Sequence, residues 1–331
     1  MSMGNHSELL PEMASTISLL VLSVIIGSIL MLELVSFINY TMKYSKFLEV
    51  CTILETFDYH LQLGTSEYRN TVNVSIIVLS TITPTISQIA YMYWKDEPGF
   101  TVREILACIF YVNAHCGRIG LLIHFQQVSH GITERLRFVN DRIRLEVLTQ
   151  CFRRTLLRQN PLCANPSYDS TSSKKVRSLI SAYHLLCGAV GQANVFYSDL
   201  LLASIFCTFL DITEALYLFL LYVDKADTTV ICTVASSIFH DATFLVLVTL
   251  SGSGVSEAAG ETAPLVCKLI SQDLGSELRE ELKSFLLQLA NQTMEFSAGG
   301  FFQINRQTLT SMIAAVTTYL VIMIQFDTQS N

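Results

Sequence analysis

The chain has 331 residues, of which 51% are hydrophobic and only 15% charged, and its formal net charge is −7. A soluble globular chain carries about 25% charged residues, so this composition favours a membrane protein whose single helical bundle uses the bilayer as its solvent. The acidic balance, without a basic patch interleaved with aromatic residues, argues against nucleic-acid binding.

Six stretches are apolar over about the 20 residues that a helix needs to cross the hydrocarbon layer. In chain order they are 14–38, 72–94, 105–127, 196–222, 229–250 and 308–326. The first is too long, and too acidic at its amino-terminal flank, for a secretory signal. The pattern predicts an all-α integral membrane bundle that forms one domain over residues 1–331.

The distribution of Lys and Arg predicts the orientation of these spans. Two lysines follow the first span directly and ten Lys and Arg residues lie within 128–195, whereas the opposite connections hold only Lys95, Arg103 and Lys225. Since Lys and Arg accumulate on the cytosolic side of membrane proteins, we expect both termini outside the cell and the 128–195 segment in the cytosol.

The segment after the third span has the pattern of an amphipathic helix. From Phe125 to Leu157 apolar residues recur every three to four positions, with basic residues between them. Asn160-Pro161 and the polar stretch up to Ser173 indicate a loop, and helical periodicity resumes at Lys174 and continues into the fourth span. Two helices should therefore project into the cytosol and form a helical extension of the bundle.

The other two cytosolic connections, 39–71 and 251–307, are long. Within the second, Gly252-Ser253-Gly254 has no preceding strand, so we interpret it as a flexible turn and not as a nucleotide-binding loop. The chain has no metalloprotease histidine motif, no nucleophile elbow and no zinc-site spacing of Cys and His. No catalytic residue, metal site or cofactor is predicted.

Eight ionisable residues fall within the predicted spans: Glu33, His115, Arg118, His124, Asp211, Glu214, His240 and Asp241. Each charged group at the centre of a span costs about 2.5–3.5 kcal/mol, so these residues should face the bundle interior or water. Asp211 and Glu214 share one helix face, and an ion pair between Arg118 and one of them would satisfy the charges. A ligand or ion site, or a proton relay in a secondary transporter, is the alternative.

The outer ends of the predicted spans are rich in aromatic residues. Such residues form an interfacial belt, and some of them can also line a pocket with apolar walls and a few polar groups. The candidates for a ligand pocket are Gln88, Tyr91, Trp94, Tyr111, His115, Tyr217 and His240.

The last span ends in Thr318-Tyr319, five apolar residues and Gln325-Phe326. Thr318, Ile322 and Gln325 lie on one helix face, which in a symmetric assembly would present hydroxyl, apolar and amide rings around an axis. In the alternative interpretation Gln325 reaches the membrane interface and Tyr319 packs against a neighbouring helix. The motif resembles the carboxy-terminal signature of insect gustatory receptors.

Three regions resemble that family: the Arg135–Ile143 segment, with its Arg-Phe and Asn pattern, the stretch from Leu179 to Tyr217, and the stretch from Phe296 to Phe326. The second of them contains His184, Asn194 and Tyr197 and resembles the segment that leads into the family's fifth helix. The resemblance implies a multi-pass plasma-membrane receptor, a homo- or hetero-tetrameric ligand-gated cation channel for small-molecule tastants. The residues implied at the pore and gate are Thr318, Tyr319, Ile322, Gln325 and Phe326.

Two departures from the family pattern refine this expectation. Leu320 stands where sugar-sensing members typically carry Glu, which favours a bitter or other plant-derived ligand over a sugar. Family members have seven spans, whereas six are predicted here, so the first helix is expected to be missing. A G-protein-coupled type of receptor, a secondary transporter and a non-conducting modulatory subunit remain as alternatives.

Overall fold

The computed structural model describes residues 26–61, 102–159, 166–223, 228–272 and 275–330, together with Ser23 and Ile86. Most of this chain is helical, with one short hairpin of β-strands. In chain order the elements are α1 (Ile26–Met42), α2 (Tyr44–His60), α3 (Val102–Gln159), α4 (Pro166–Val223), α5 (Thr228–Gly260), α6 (Thr262–Ile270), α7 (Ser276–Asn291), β1 (Ser297–Ala298), β2 (Phe302–Gln303) and α8 (Arg306–Ser330).

The predicted all-α membrane bundle with long helical extensions is confirmed. Helices α3 and α4 have 58 residues each, which at 1.5 Å per residue makes each about 87 Å long. That is almost three times the roughly 30 Å of hydrocarbon in a bilayer, so each helix extends well beyond it. By length and composition, the stretches Ser173–Leu220 and Thr228–Ile270 are each long and apolar enough to contain a membrane span of about 20 residues, and α1 is a shorter apolar helix. The span expected at 72–94 lies outside the described residues.

The long connections contain more regular structure than the sequence indicated. Helix α2 occupies much of 39–71, α4 begins at Pro166 instead of Lys174, and 251–307 holds the end of α5, two further helices and the hairpin. The predicted flexible turn at Gly252-Ser253-Gly254 is wrong, because these residues continue α5 and Gly252 is buried. A Cβ atom on Gly252 would lie 2.8 Å from Ile304, so close packing, and not chain flexibility, accounts for this glycine.

The core lies between α3, α4 and α5 and is densest around Tyr197 of α4. The Tyr197 ring makes edge-to-face contacts with Phe125 at 5.3 Å and Phe196 at 4.9 Å, and Phe125 meets Phe296 at 4.9 Å. The Tyr197 hydroxyl lies 2.8 Å from Nδ1 of His124. Buried aromatic pairs of this geometry add about 0.5–1.5 kcal/mol each beyond their burial, and here they join α3, α4 and the segment before β1.

Polar side chains connect the shorter helices to this core. Asn39 of α1 donates from Nδ2 to the Phe196 carbonyl at 3.2 Å, while the Cys207 thiol lies 3.3 Å from the Ser28 carbonyl. Residue numbers therefore rise along α1 as they fall along α4, so the two helices pack antiparallel. Arg135 and Asp58 form a two-bond ion pair that attaches α2 to α3.

The family-like segment Arg135–Ile143 contributes the buried Asn140 to the junction of α5 and α6. The Asn140 Nδ2 donates to the Ala258 carbonyl at 2.7 Å, and its Oδ1 accepts from the Thr262 hydroxyl at 2.7 Å. One amide thus satisfies groups on both sides of the helix break at Glu261.

Candidate functional site

Arg118 is the centre of a charged cluster inside the bundle. Its side chain is only 5% exposed, and Nη1 lies 2.6 Å from Oδ2 of Asp211 on α4 and 3.3 Å from Oδ1 of Asp241 on α5. One guanidinium therefore connects α3 to two other helices. Among the described residues Arg118 forms no ion pair with Glu214.

The structure adds Asp241 to the expected pairing of Arg118 with Asp211 or Glu214. The position of Asp241 inside a span marked it as an interior residue. Its partner was not evident, because the spacing of residues along one helix does not show which neighbouring helix each face meets. Two carboxylates sharing one guanidinium leave the cluster with a formal charge of −1 if all three groups are ionised.

Two buried histidines extend this cluster along α3 and α5. The rings of His115 and His240 have centroids 4.7 Å apart. His115 lies one helical turn before Arg118, and His240 is adjacent to Asp241. The two imidazoles and the guanidinium therefore form a continuous polar layer between α3 and α5, which we call the Arg118 layer (His115, Arg118, Asp211, His240 and Asp241).

The other pocket candidates are placed only in part. Tyr217 is half-buried on α4, beyond Asp211, and Tyr111 belongs to α3. Gln88, Tyr91 and Trp94 lie outside the described residues. Two of the seven candidates, His115 and His240, are thus brought into contact.

A further polar contact near this layer was not anticipated from the sequence. Asn113 on α3 donates from Nδ2 to Oε1 of Glu33 on α1 at 3.0 Å. Glu33 was identified as an ionisable residue within a span, and an amide donor two residues from His115 was the signal that could have suggested its partner. In the described part of the chain, no cluster of three or more His, Cys, Asp or Glu residues has the geometry for a metal ion.

The described side chains of α8 pack against the core mainly near its start, where Leu309 and Met312 are partly buried. Among its described side chains, Val316 is the one buried hydrophobic residue. Tyr319 is 54% exposed, and its ring meets Phe209 of α4 at 5.9 Å, edge to face. Thr318, Ile322 and Gln325 are exposed, and the Thr318 hydroxyl donates to the Ala314 carbonyl of its own helix at 2.9 Å. Phe326 belongs to α8, but its side chain lies outside the described part.

Burial keeps several groups in the helical extension of residues 128–195 neutral. Desolvation raises the pKa of the Cys187 thiol to about 11 and raises the pKa of the Tyr183 phenol above its usual range. Burial also lowers the pKa of His130. At neutral pH these three side chains carry no charge.

Comparison with known proteins places these features in context. A family model described as 7tm chemosensory receptor matches residues 9–330. The chain is 33% identical over 151 residues to the gustatory receptor for sugar taste 43a of Drosophila melanogaster (45% of this chain, 34% of that protein). It is 32% identical over 108 residues to gustatory and pheromone receptor 39a, isoform A, of the same species (32% of this chain, 29% of that protein). The chain thus spans about a third of the length of these curated relatives.

A solved structure has the same fold. The insect olfactory receptor OR5 from Machilis hrabei, in complex with eugenol, aligns with a TM-score of 0.59 and 13% identity, covering 95% of this chain and 90% of that one.

Proposed function

Because this chain belongs to the 7tm chemosensory receptor family, we propose that it is a subunit of a ligand-gated cation channel that senses small-molecule tastants. The family consists of membrane-embedded receptors, not enzymes. Plasma membrane is the proposed location, and a homo- or hetero-tetramer with other gustatory receptors is the proposed assembly.

The exposed face of α8 is the observation that carries the channel proposal. The Thr318 hydroxyl is satisfied by its own helix, whereas Gln325 is exposed near the end of an apolar span. An amide without hydrogen-bond partners in an apolar environment costs several kcal/mol. If four copies turn this face towards a common axis, Gln325 meets water in a pore, and this cost disappears.

In this arrangement each residue of the face has a defined role. Ile322 would form an apolar ring that closes the pore by dewetting, and Gln325 would form an amide ring that replaces part of the hydration shell of an ion. Thr318 would line the pore on the opposite side of the Ile322 ring. Tyr319 and Phe326 would flank this face, and the contact of Tyr319 with Phe209 on α4 supports that role.

The Arg118 layer supports a ligand site in the same half of the bundle. Its histidines supply polar groups between helices, and the proposed walls are the aromatic and amide candidates Gln88, Tyr91, Trp94, Tyr111 and Tyr217. Leu320, in the position where sugar-sensing members carry Glu, favours a bitter or other plant-derived compound as the ligand.

The decisive experiment measures ion selectivity after a charge change at the proposed amide ring. Gln325→Glu places one carboxylate per subunit at the ring, so we expect the calcium-to-sodium permeability ratio to increase. Gln288→Glu makes the same chemical change on the exposed surface of α7 and should leave the ratio unchanged. Whole-cell reversal potentials, recorded with the chain alone and with a co-expressed gustatory receptor, give both values.

A second substitution tests the apolar ring. Ile322→Ser would wet the ring and should produce current without any ligand. Unchanged permeability in Gln325→Glu, together with a silent closed state in Ile322→Ser, would show that this face does not line a pore.

The buried charges of the Arg118 layer favour one alternative, a secondary transporter, because intramembrane carboxylates and histidines can form proton relays. Proton-coupled solute uptake without channel currents would support it. Currents that persist when G-protein signalling is blocked would exclude a G-protein-coupled mechanism. Currents seen only with a co-expressed receptor, and unaltered by Gln325→Glu, would indicate a modulatory subunit.

A further inference from the structure

The hairpin β1–β2 connects the cytosolic helix α7 to α8 and is held by the side chain of Asn194. The Asn194 Nδ2 donates to the Glu295 carbonyl at 2.6 Å, and its Oδ1 accepts from the Ser297 amide at 3.0 Å. One amide therefore binds the backbone of the strand entering the hairpin through both of its polar atoms. Ser297 pairs in turn with Gln303, and Ala298 with Phe302.

The tip of the hairpin is fitted to the same face of α4. Gly299 and Gly300 have φ angles of +58° and +73°, which residues other than glycine rarely adopt. The Gly299 amide donates to the Ser198 carbonyl at 3.0 Å, and a Cβ atom there would lie 2.5 Å from Leu202. Asn194, Ser198 and Leu202 are spaced one helical turn apart, so they form a continuous docking line for the hairpin.

Contacts with α5 hold the other side of the hairpin. Ile304 packs directly against Gly252, where a Cβ atom would approach Ile304 to 2.8 Å. Immediately afterwards α8 begins: the Asn305 side chain caps it by accepting from the Thr308 amide at 2.9 Å, and Arg306 forms an ion pair with Glu257 at 3.1 Å. The hairpin therefore packs between α4 and α5 directly before the first turn of α8, which we call the α8 root.

The root matters because the rest of α8 is weakly attached. Leu309 and Met312 near its start are partly buried against the core. Beyond them, Val316 and the ring contact of Tyr319, its described side chains are largely exposed, so the hairpin sets where α8 begins and in which direction it leaves the core. The docking line and the Arg118 layer are on the same uninterrupted helix α4, with Asn194 and Asp211 separated by 17 residues, or about 25 Å.

We propose that Asn194 is a positioning residue that couples α4 to α8 through the glycine hairpin. A shift of α4 relative to α5 at the Arg118 layer moves the docking line, and the hairpin passes this movement to the root of α8. This inference rests on the proposed function where it refers to gating, and on the geometry alone where it refers to the position of α8.

The first test measures hydrogen exchange in the purified full-length chain. Asn194→Leu removes both hydrogen bonds, and we expect amide exchange in the hairpin and in the first turn of α8 to accelerate about tenfold, the effect of losing about 1.4 kcal/mol of local protection. Gln192→Leu, two residues earlier on α4 and without a hairpin contact among those described, is the matched control and should leave exchange unchanged.

A conservative variant separates positioning from general destabilisation. Asn194→Asp keeps the acceptor for the Ser297 amide but places a carboxylate oxygen against the Glu295 carbonyl. We expect Ser297 to stay protected while the rest of the hairpin and the α8 root exchange faster. Acceleration spread equally over α3, α4 and α5 would reveal a merely structural role and would overturn the inference.

The second test follows α8 in cells with a water-soluble, positively charged methanethiosulfonate reagent on an Ile322→Cys background. We expect Asn194→Leu to change the modification rate at position 322 at least about threefold, and Gln192→Leu to leave it unchanged. If Cys at 322 is unreactive in every background, the proposed pore is wrong. In that case the amide hydrogen exchange of the α8 root decides whether Asn194 positions α8. An exchange rate at the α8 root that is unchanged in Asn194→Leu overturns the inference.

Discussion

Replacing Arg118 by leucine should be among the most damaging single substitutions in the bundle. Leucine fills much of the space, so the main loss is the positive charge shared by two carboxylates. Asp241 is only 4% exposed, whereas the Asp211 side chain is 21% exposed and retains some contact with solvent. The penalty should therefore fall mainly on Asp241, which would be left as a buried charge without a partner.

Removing one member of a buried ion pair costs about 3–5 kcal/mol, out of the roughly 5–15 kcal/mol that stabilises a typical folded domain. At about 1.4 kcal/mol per factor of ten, the ratio of folded to unfolded chain should fall by two to four orders of magnitude. We expect most Arg118→Leu protein to be retained inside the cell. Surface biotinylation would detect this loss, and the thermal midpoint of the detergent-solubilised protein would measure the instability directly.

Second-site changes test the geometry of the cluster. Adding Asp241→Asn to Arg118→Leu should recover the largest share of surface delivery, because the stranded charge becomes a neutral amide. Asp211→Asn should recover less, and Glu214→Gln, a neighbouring carboxylate without an ion pair to Arg118, should recover nothing. Normal delivery of Arg118→Leu alone, or equal recovery with all three second changes, would refute the reasoning.

Two further predictions concern packing and thiol reactivity. Gly252→Ala should lower the thermal midpoint, because overpacking against Ile304 costs about 1–3 kcal/mol. Gly254→Ala is the control and should not lower it, because the nearest neighbour of a Cβ atom there lies at an ordinary 3.5 Å. Equal midpoints for the two variants would contradict the close approach of Gly252 to Ile304. With a pKa of about 11, roughly one Cys187 thiol in a thousand is ionised at pH 8. N-ethylmaleimide should thus label Cys187 far more slowly than the exposed Cys151, and comparable rates by mass spectrometry would show that Cys187 is not desolvated.

The sequence predicted features that depend on periodicity or on a local motif. The apolar spans and the amphipathic repeat after Phe125 predicted the fold class, because a helical face repeats every three to four residues. The interior location of Arg118, Asp211 and Asp241 followed from the cost of charge in hydrocarbon. The signature around Gln325 suggested the family, which the match to residues 9–330 establishes.

Features that depend on contacts between distant segments could not be predicted in this way. The choice of Asp241 as a partner of Arg118 depends on how α3, α4 and α5 are rotated against one another. Gly252 has the local signature of a turn, but its role is set by Ile304, some fifty residues later. Asn194 lies in a stretch that resembles the family, but its hydrogen bonds to Glu295 and Ser297 join residues about a hundred positions apart, so no local pattern predicts them.

The sparse contacts of α8 also have a consequence for the lipid around it. The apolar stretch 308–326 has about 19 residues, or roughly 29 Å of helix, which just equals the thickness of a typical hydrocarbon layer. If this stretch is a membrane span, as the sequence predicts, we expect a helix with so few buried side chains to adjust its tilt to the bilayer. A thinner membrane should increase the tilt of α8, whereas a thicker, sterol-rich membrane should draw the amide of Gln325 towards the hydrocarbon. The lipid composition of the membrane would then help to set the resting tilt angle of this helix.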